Sequence, residues 1–180
     1  DRFEINGKLV YSELPHCPAE NHGLLMNARF IQGIFDEKSN PSRFNRFGKA
    51  FDPDLNTDLL IAALPKWYAY GLRGFTVGLQ GGGPCFTISN KSVENNPFSA
   101  DGGQIDEFYL NRLFRLIEAA DELGMVVIVS LFYGDQVRFL RDDQGVKTAV
   151  KRVSNLLRDR GYTNLIIEIA NEHDIDCLAP

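Results

Sequence analysis

Residues 122–135 read ELGMVVIVSLFYGD. Gly124 gives way at once to an apolar run, Met125 to Tyr133, that is too short for a buried helix and rich in residues suited to a pleat. The run does not alternate with polar residues, so it is a strand covered on both faces, as in a parallel sheet. Just before it, Phe108, Leu113, Leu116, Ile117 and Ala120 fall near the helical spacing. They predict a helix over about Ile105 to Leu123 with those side chains as its buried stripe. The local unit is therefore helix, glycine stop, strand and polar loop.

The same unit recurs on both sides. Downstream, the loop GDQVRFLRDDQG (134–145) leads to a helix carrying Val146, Ala149, Val150, Val153, Leu156 and Leu157. Gly161 stops it, and NLIIEIAN (164–171) is the next strand. Upstream, LRGFTVGLQ (72–80) is a strand preceded by the helix NTDLLIAALPKWYAYG (56–71). That helix is expected to be capped by Asn56 or Thr57, kinked at Pro65 and ended at Gly71. ARFIQGIF (28–35) is the first strand of the series. Returns after helices are tight, whereas long polar loops follow the strands, which puts the working face at the strand C-termini.

Ahead of the series, FEINGKLVY (3–11) alternates around Asn6-Gly7 and predicts a hairpin of Phe3–Ile5 with Leu9–Tyr11. Residues 1–23 are read as this hairpin and a lead-in, and residues 24–180 as parallel βα repeats. Two α/β architectures fit such repeats: a doubly wound sheet and a (β/α)8 barrel. No G-x-G-x-x-G follows the first strand, and the glycines of GLQGGGP (78–84) lie after the second strand with no helix starting at once. Four strands are half of the eight a barrel needs, so both architectures stay open, and a barrel here would be incomplete, its N-terminal half.

The bulk numbers exclude several roles. The net charge is −5 and the 19 Lys and Arg are scattered, so there is no basic stripe for nucleic acid. No apolar run is long enough to span a bilayer, and no membrane partner is expected. The chain opens with DRFEINGKLVY, in which no signal peptide is read; this fits the cytoplasm or a secreted protein whose signal was removed, with a secreted or periplasmic location slightly favoured. Cys17, Cys85 and Cys177 form no framework and read as isolated thiols. His16, His22 and His173 give no metal-ligand spacing, so neither metal nor cofactor is expected.

The candidate site lies where strand 164–171 runs into Asn171, Glu172, His173 and Asp174. Ile166, Glu168, Ala170 and Glu172 share one face of that strand, and Ile167, Ile169 and Asn171 the other. A carboxylate at the strand's end, half desolvated, has the raised pKa that a general acid requires. Glu172 therefore reads as catalytic or, more plainly, as a solvated or ion-paired loop residue. Glu168, deeper in the strand, must be paired and reads as structural. Asn171 can orient a substrate hydroxyl or satisfy loop backbone. Tyr133 can stack on a sugar ring, while Phe132 reads as core. Gln80 precedes three glycines that let a ligand approach the backbone. Asp36 and Glu37 read as a solvated loop pair.

The stretch LIIEIANEHDI (165–175) resembles the fourth-strand motif of clan A glycoside hydrolases, the (β/α)8 group that includes family 5 cellulases and mannanases. NARFIQGIFDE (27–37), YGLRGFTVGLQGG (70–82) and ADELGMVVIVSLFYGDQ (120–136) stand in order as the first three strands, so the resemblance spans Leu24 to the end. It implies a retaining glycoside hydrolase acting on a β-linked oligo- or polysaccharide, with Glu172 as acid/base and Asn171 on the sugar 2-hydroxyl. It also implies a nucleophilic carboxylate from a seventh strand, about 5–5.5 Å from the first. That strand lies outside this segment, so the remaining strands would come from further sequence or another chain, and the 180 residues alone would be inactive. Two positions depart from the family pattern. Thr76-Val77-Gly78 stands where an arginine is usual, and Phe132-Tyr133 where a histidine is. They keep open a non-catalytic carbohydrate-binding or scaffold relative of the same barrel. An aldolase would need an inner-strand lysine, and none of the four strands carries one.

Overall fold

A computed structural model of the chain describes residues 2–45, 48–81 and 92–171. Glu172, His173, Asp174, Cys85 and Cys177 lie outside the described residues. The hairpin consists of β1 (Glu4–Ile5) paired antiparallel with β2 (Lys8–Leu9). Asn6 and Gly7 sit at φ 53° and 74°, the left-handed pair that a type I′ turn needs. The strands are shorter than the alternation suggests.

The remaining elements are β3 (Asn27–Arg29), α1 (Pro53–Ala69), β4 (Gly74–Gly78), α2 (Glu107–Glu122), β5 (Val126–Tyr133), α3 (Asp143–Asp159) and β6 (Leu165–Asn171). The four strands β3-β4-β5-β6 form one parallel sheet in sequence order. No strand order reversal occurs, so there is no switch point of the doubly wound type. Crossovers between parallel neighbours are right-handed as a rule, and running in one direction across the sheet they place the helices on one face, the winding of a partial barrel. Phe75, Val77, Val127, Val129 and Leu131 pack there with Leu64 of α1, Leu113, Leu116 and Ile117 of α2, and Val153 and Leu157 of α3.

The other face is more polar. Register pairs Arg29 with Thr76 and Ser130 with Glu168. Arg29 on β3 also donates a hydrogen bond to the Asn171 side-chain oxygen at the end of β6. These are the two edge strands, about 14 Å apart in a flat sheet. Their side chains meet only if the sheet curls, bringing the ends of β3 and β6 toward each other.

Three expectations change. The first strand is three residues long, not eight. After Phe30 N–H reaches Thr76 O, the chain turns, and Gly33 N–H bonds Phe30 O. Gly33 lies hard against α1, where a Cβ would stand 2.5 Å from Leu60 Cδ2. The cap of α1 is Asp52, whose carboxylate accepts from Asp54 and Leu55 N–H with Pro53 in the first turn. Asn56 and Thr57 instead donate to the carbonyls of Gln32 and Gly33, fastening α1 to the turn after β3. The helix continues through Pro65 and ends at Gly71, φ 97°. In α2, Phe108 is 73% exposed, and Tyr109 and Arg112 take the buried places. Phe108 is five residues from Leu113, out of phase with a stripe whose members recur at three and four.

Leu113→Ala is expected to cost about 2–5 kcal/mol, because the emptied space lies in the helix–sheet core. Phe108→Ser is expected to stay within about 0.5 kcal/mol, as an exposed position does. Denaturant melts of the two variants check the assignment of the buried face.

Candidate functional site

The segments that follow β3, β4 and β5 meet at the C-terminal end of the sheet. They are held by four buried side-chain amides, Gln80, Asn95, Asn96 and Gln136. Gln80 Nε2 donates to Asn96 Oδ1 (2.8 Å) and to Gln136 O (3.3 Å), and its Oε1 accepts from Tyr133 N–H (3.2 Å). Gln136 Oε1 accepts from Asn95 N–H and its Nε2 donates to Val93 O. Asn95 Nδ2 donates to Gly81 O, and Asn95 Oδ1 accepts from the Tyr109 hydroxyl at 2.7 Å. Burial, reinforced by the Asp36 carboxylate, pushes the Tyr109 hydroxyl far above its ordinary pKa, so it remains a donor. Leaving any one of these groups unpaired would cost about 1–3 kcal/mol, which is why irregular backbone can be buried here at all.

Glu37 corrects the reading of a solvated acidic pair. It is only 1% exposed. Its Oε1 accepts from Ser39 N–H and Oγ–H, Asn40 N–H and Glu94 N–H, while Oε2 lies 3.2 Å from Arg43 Nη1. It joins the turn after β3 to the segment after β4. Asp36 is half-buried, 3.7 Å from Arg112 Nη2, and desolvation raises its carboxyl pKa more than Arg112 lowers it. Lys38 reaches Asp106 Oδ2 at 2.8 Å. Burial pulls the Asp106 carboxyl upward, but Lys38 and the N–H groups of Phe108 and Tyr109 outweigh it and hold the group below its usual value.

The candidates of the sequence fall into distinct places. Tyr133 and Asn171 end adjacent strands and are register partners, so two of the expected sugar contacts stand side by side. Asn171 Oδ1 accepts from Arg29, which sets the orientation of its amide. Phe132 is buried against Phe98, ring centroids 5.5 Å apart. Gln80 is 2% exposed with its amide nitrogen donating to Asn96 and Gln136, so it lies beneath the mouth. Glu168 also differs from expectation: its Oε2, like the neighbouring Ser130 Oγ, is buried with no hydrogen-bond partner among the described residues. Glu172 follows directly on the last residue of β6, and its side chain lies outside the described residues.

Arg29, Glu37, Asn95, Asn96 and Gln136 were not foreseen as a group. The signal for them is weak: polar residues clustered after strands, in SVENNPFS (92–99) and GDQ (134–136). An apolar groove of about 760 Å³, lined by Tyr11, Met26, Phe30, Trp67 and Leu72, lies toward the strand N-termini, away from this chemistry. Among the described residues no group of His, Cys, Asp and Glu could hold a metal, and no helix is long and apolar enough to cross a membrane.

No family model and no curated protein matches the chain. Among solved structures it is similar to a GH5-4 broad specificity endoglucanase from an uncultured bovine rumen ciliate, at 13% identity and a TM-score of 0.44. The match covers 79% of this chain and 40% of that enzyme, so the chain spans well under half of the enzyme's length. A likeness this slight assigns neither a family nor an activity.

A group whose pKa is depressed by folding stabilises above its unfolded pKa and loses that contribution as pH falls through the folded value. Asp106 is such a group, so its stabilisation is full above about pH 4 and fades below it. Asp106→Asn is expected to lower the Tm at pH 7 and to flatten the fall in Tm below about pH 4. Thermal melts from neutral to acid pH check it; parallel curves for both proteins would refute the role.

Proposed function

We propose that these residues form the acid/base half of a retaining β-glycoside hydrolase site, with Glu172 as acid/base and the nucleophile supplied by strands that complete the barrel. The observation that carries the reading is the position of the motif: β6, fourth in a sheet wound in sequence order, ends at Asn171, and Glu172 is the next residue. Chemistry in this class of fold sits at the strand C-terminal ends.

In the first step a carboxylate on the completing strands attacks the anomeric carbon. Glu172 gives its proton to the departing glycosidic oxygen as that bond breaks. In the second step Glu172, now a carboxylate, takes a proton from water, whose oxygen attacks the anomeric carbon and releases the nucleophile. Asn171 Nδ2 donates to the sugar 2-hydroxyl, with its amide turned by Arg29. Tyr133 gives the neighbouring ring an apolar face. The substrate is a β-linked oligo- or polysaccharide.

A second reading, a non-catalytic carbohydrate binder, has its own support: Thr76-Val77-Gly78 offers no arginine, and Phe132-Tyr133 offers no histidine. In the polypeptide that contains the completing strands, Glu172→Gln is expected to reduce hydrolysis of a natural glycan by about 100-fold or more, the usual weight of a general acid. Its affinity for the same glycan should stay near that of the unsubstituted protein. Unchanged turnover would remove Glu172 from the mechanism, and glycan binding with no hydrolysis by the unsubstituted protein would favour the binder.

A further inference from the structure

We propose that Gln80 is a positioning residue that sets Tyr133, extending the β4–β5 ladder by one rung with its side chain. The inference rests on the reading of Tyr133 as a sugar-stacking residue, but its geometry stands apart from that reading. In the parallel ladder, Leu79 N–H bonds Ser130 O and Gln80 N–H bonds Leu131 O. The regular continuation would have Tyr133 N–H donate to the main-chain carbonyl of Gln80. That carbonyl has turned away from β5. It lies so close over Gly78 that a Cβ there would be 2.4 Å from the oxygen, a position only glycine allows.

The side chain of the same residue takes the vacated place. Gln80 Oε1 accepts from Tyr133 N–H at 3.2 Å. The amide is prevented from rotating because both its protons are used, one on Asn96 Oδ1 and one on Gln136 O. Asn96 Oδ1 in turn accepts from Phe98 N–H at 3.3 Å. The last residue of β5 is thus held on one side by β6, where Tyr133 pairs with Asn171, and on the other by a side chain in place of a strand. One substitution should therefore release the end of β5 without touching the sheet below it.

The test uses Gln80→Met, Gln80→Glu and Tyr133→Ala in the full 180-residue chain. The readouts are amide hydrogen exchange by NMR and titration with cellohexaose and mannohexaose. Gln80→Met removes the acceptor, and Tyr133 N–H is expected to exchange about tenfold faster while amides deep in β5 keep their protection. Gln80→Glu keeps an acceptor for Tyr133 N–H and removes both donor bonds. Tyr133 is then expected to stay protected while Phe98 N–H exchanges faster, a split that general loosening would not produce. Whichever hexaose binds is expected to lose affinity in parallel in Gln80→Met and Tyr133→Ala. Unchanged Tyr133 exchange in Gln80→Met, or equal acceleration at Tyr133 and Phe98 in Gln80→Glu, overturns the inference. So does a loss of sugar affinity in Tyr133→Ala that Gln80→Met does not share. If Gln80→Met does not fold, the exchange pattern of Gln80→Glu decides. If neither hexaose binds the unsubstituted chain, the sugar reading fails, and the exchange data still decide the role of Gln80.

Discussion

The backbone hydrogen bonds of a parallel sheet have to end somewhere, and at the C-terminal ends of β4 and β5 they end inside the protein. A buried N–H or C=O without a partner is nearly as costly as a lost hydrogen bond. Side chains finish the ladder here. Gln80 receives the Tyr133 N–H, Gln136 receives the Asn95 N–H, and Glu37 receives three amides from two segments. These bonds fix the segments after the strands as part of the core. The mouth of the sheet consequently has a rigid floor on which the ends of β5 and β6 are held.

The more polar face carries a different constraint. Ser130 and Glu168 are register neighbours whose buried oxygens have no partner among the described residues, and Arg29 at the end of β3 bonds Asn171 at the end of β6. A polar wall of this kind gains little from apolar cover. It suits an interior shared with further strands or with a polar ligand. The sheet edges agree: neither β3 nor β6 has an outer neighbour among the described residues, and Ile167 and Ile169 remain exposed on the helix-side face of β6. Unpaired edges and exposed isoleucines leave room for further strands or a covering element.

Much of the fold was legible because its signals are local. The uninterrupted run Met125–Tyr133, the glycine stops and Asn6-Gly7 each encode one element, and the βα repeat follows from their order. The errors arose where a tertiary contact overrode a local preference. The chain turns where Gly33 N–H bonds Phe30 O and Gly33 sits against Leu60, and β3 ends there. Asp52 captures the cap of α1, freeing Asn56 and Thr57 to hold the turn. The site divides in the same way. The motif that ends at Asn171 is visible in the sequence because strand and loop chemistry adjoin. Glu37 and the four amides are not, since their partners lie up to 59 residues away and nothing in their spacing distinguishes a buried hub from a polar loop.

The central claim is that the C-terminal ends of β5 and β6 form a carbohydrate site. Chemical-shift mapping of the full chain during titration with a β-linked oligosaccharide such as cellohexaose tests it most directly. The account predicts saturable shifts clustered at Tyr133, Asn171 and Glu172. Shifts confined to the apolar groove around Trp67 and Met26, with none at the strand ends, would contradict it.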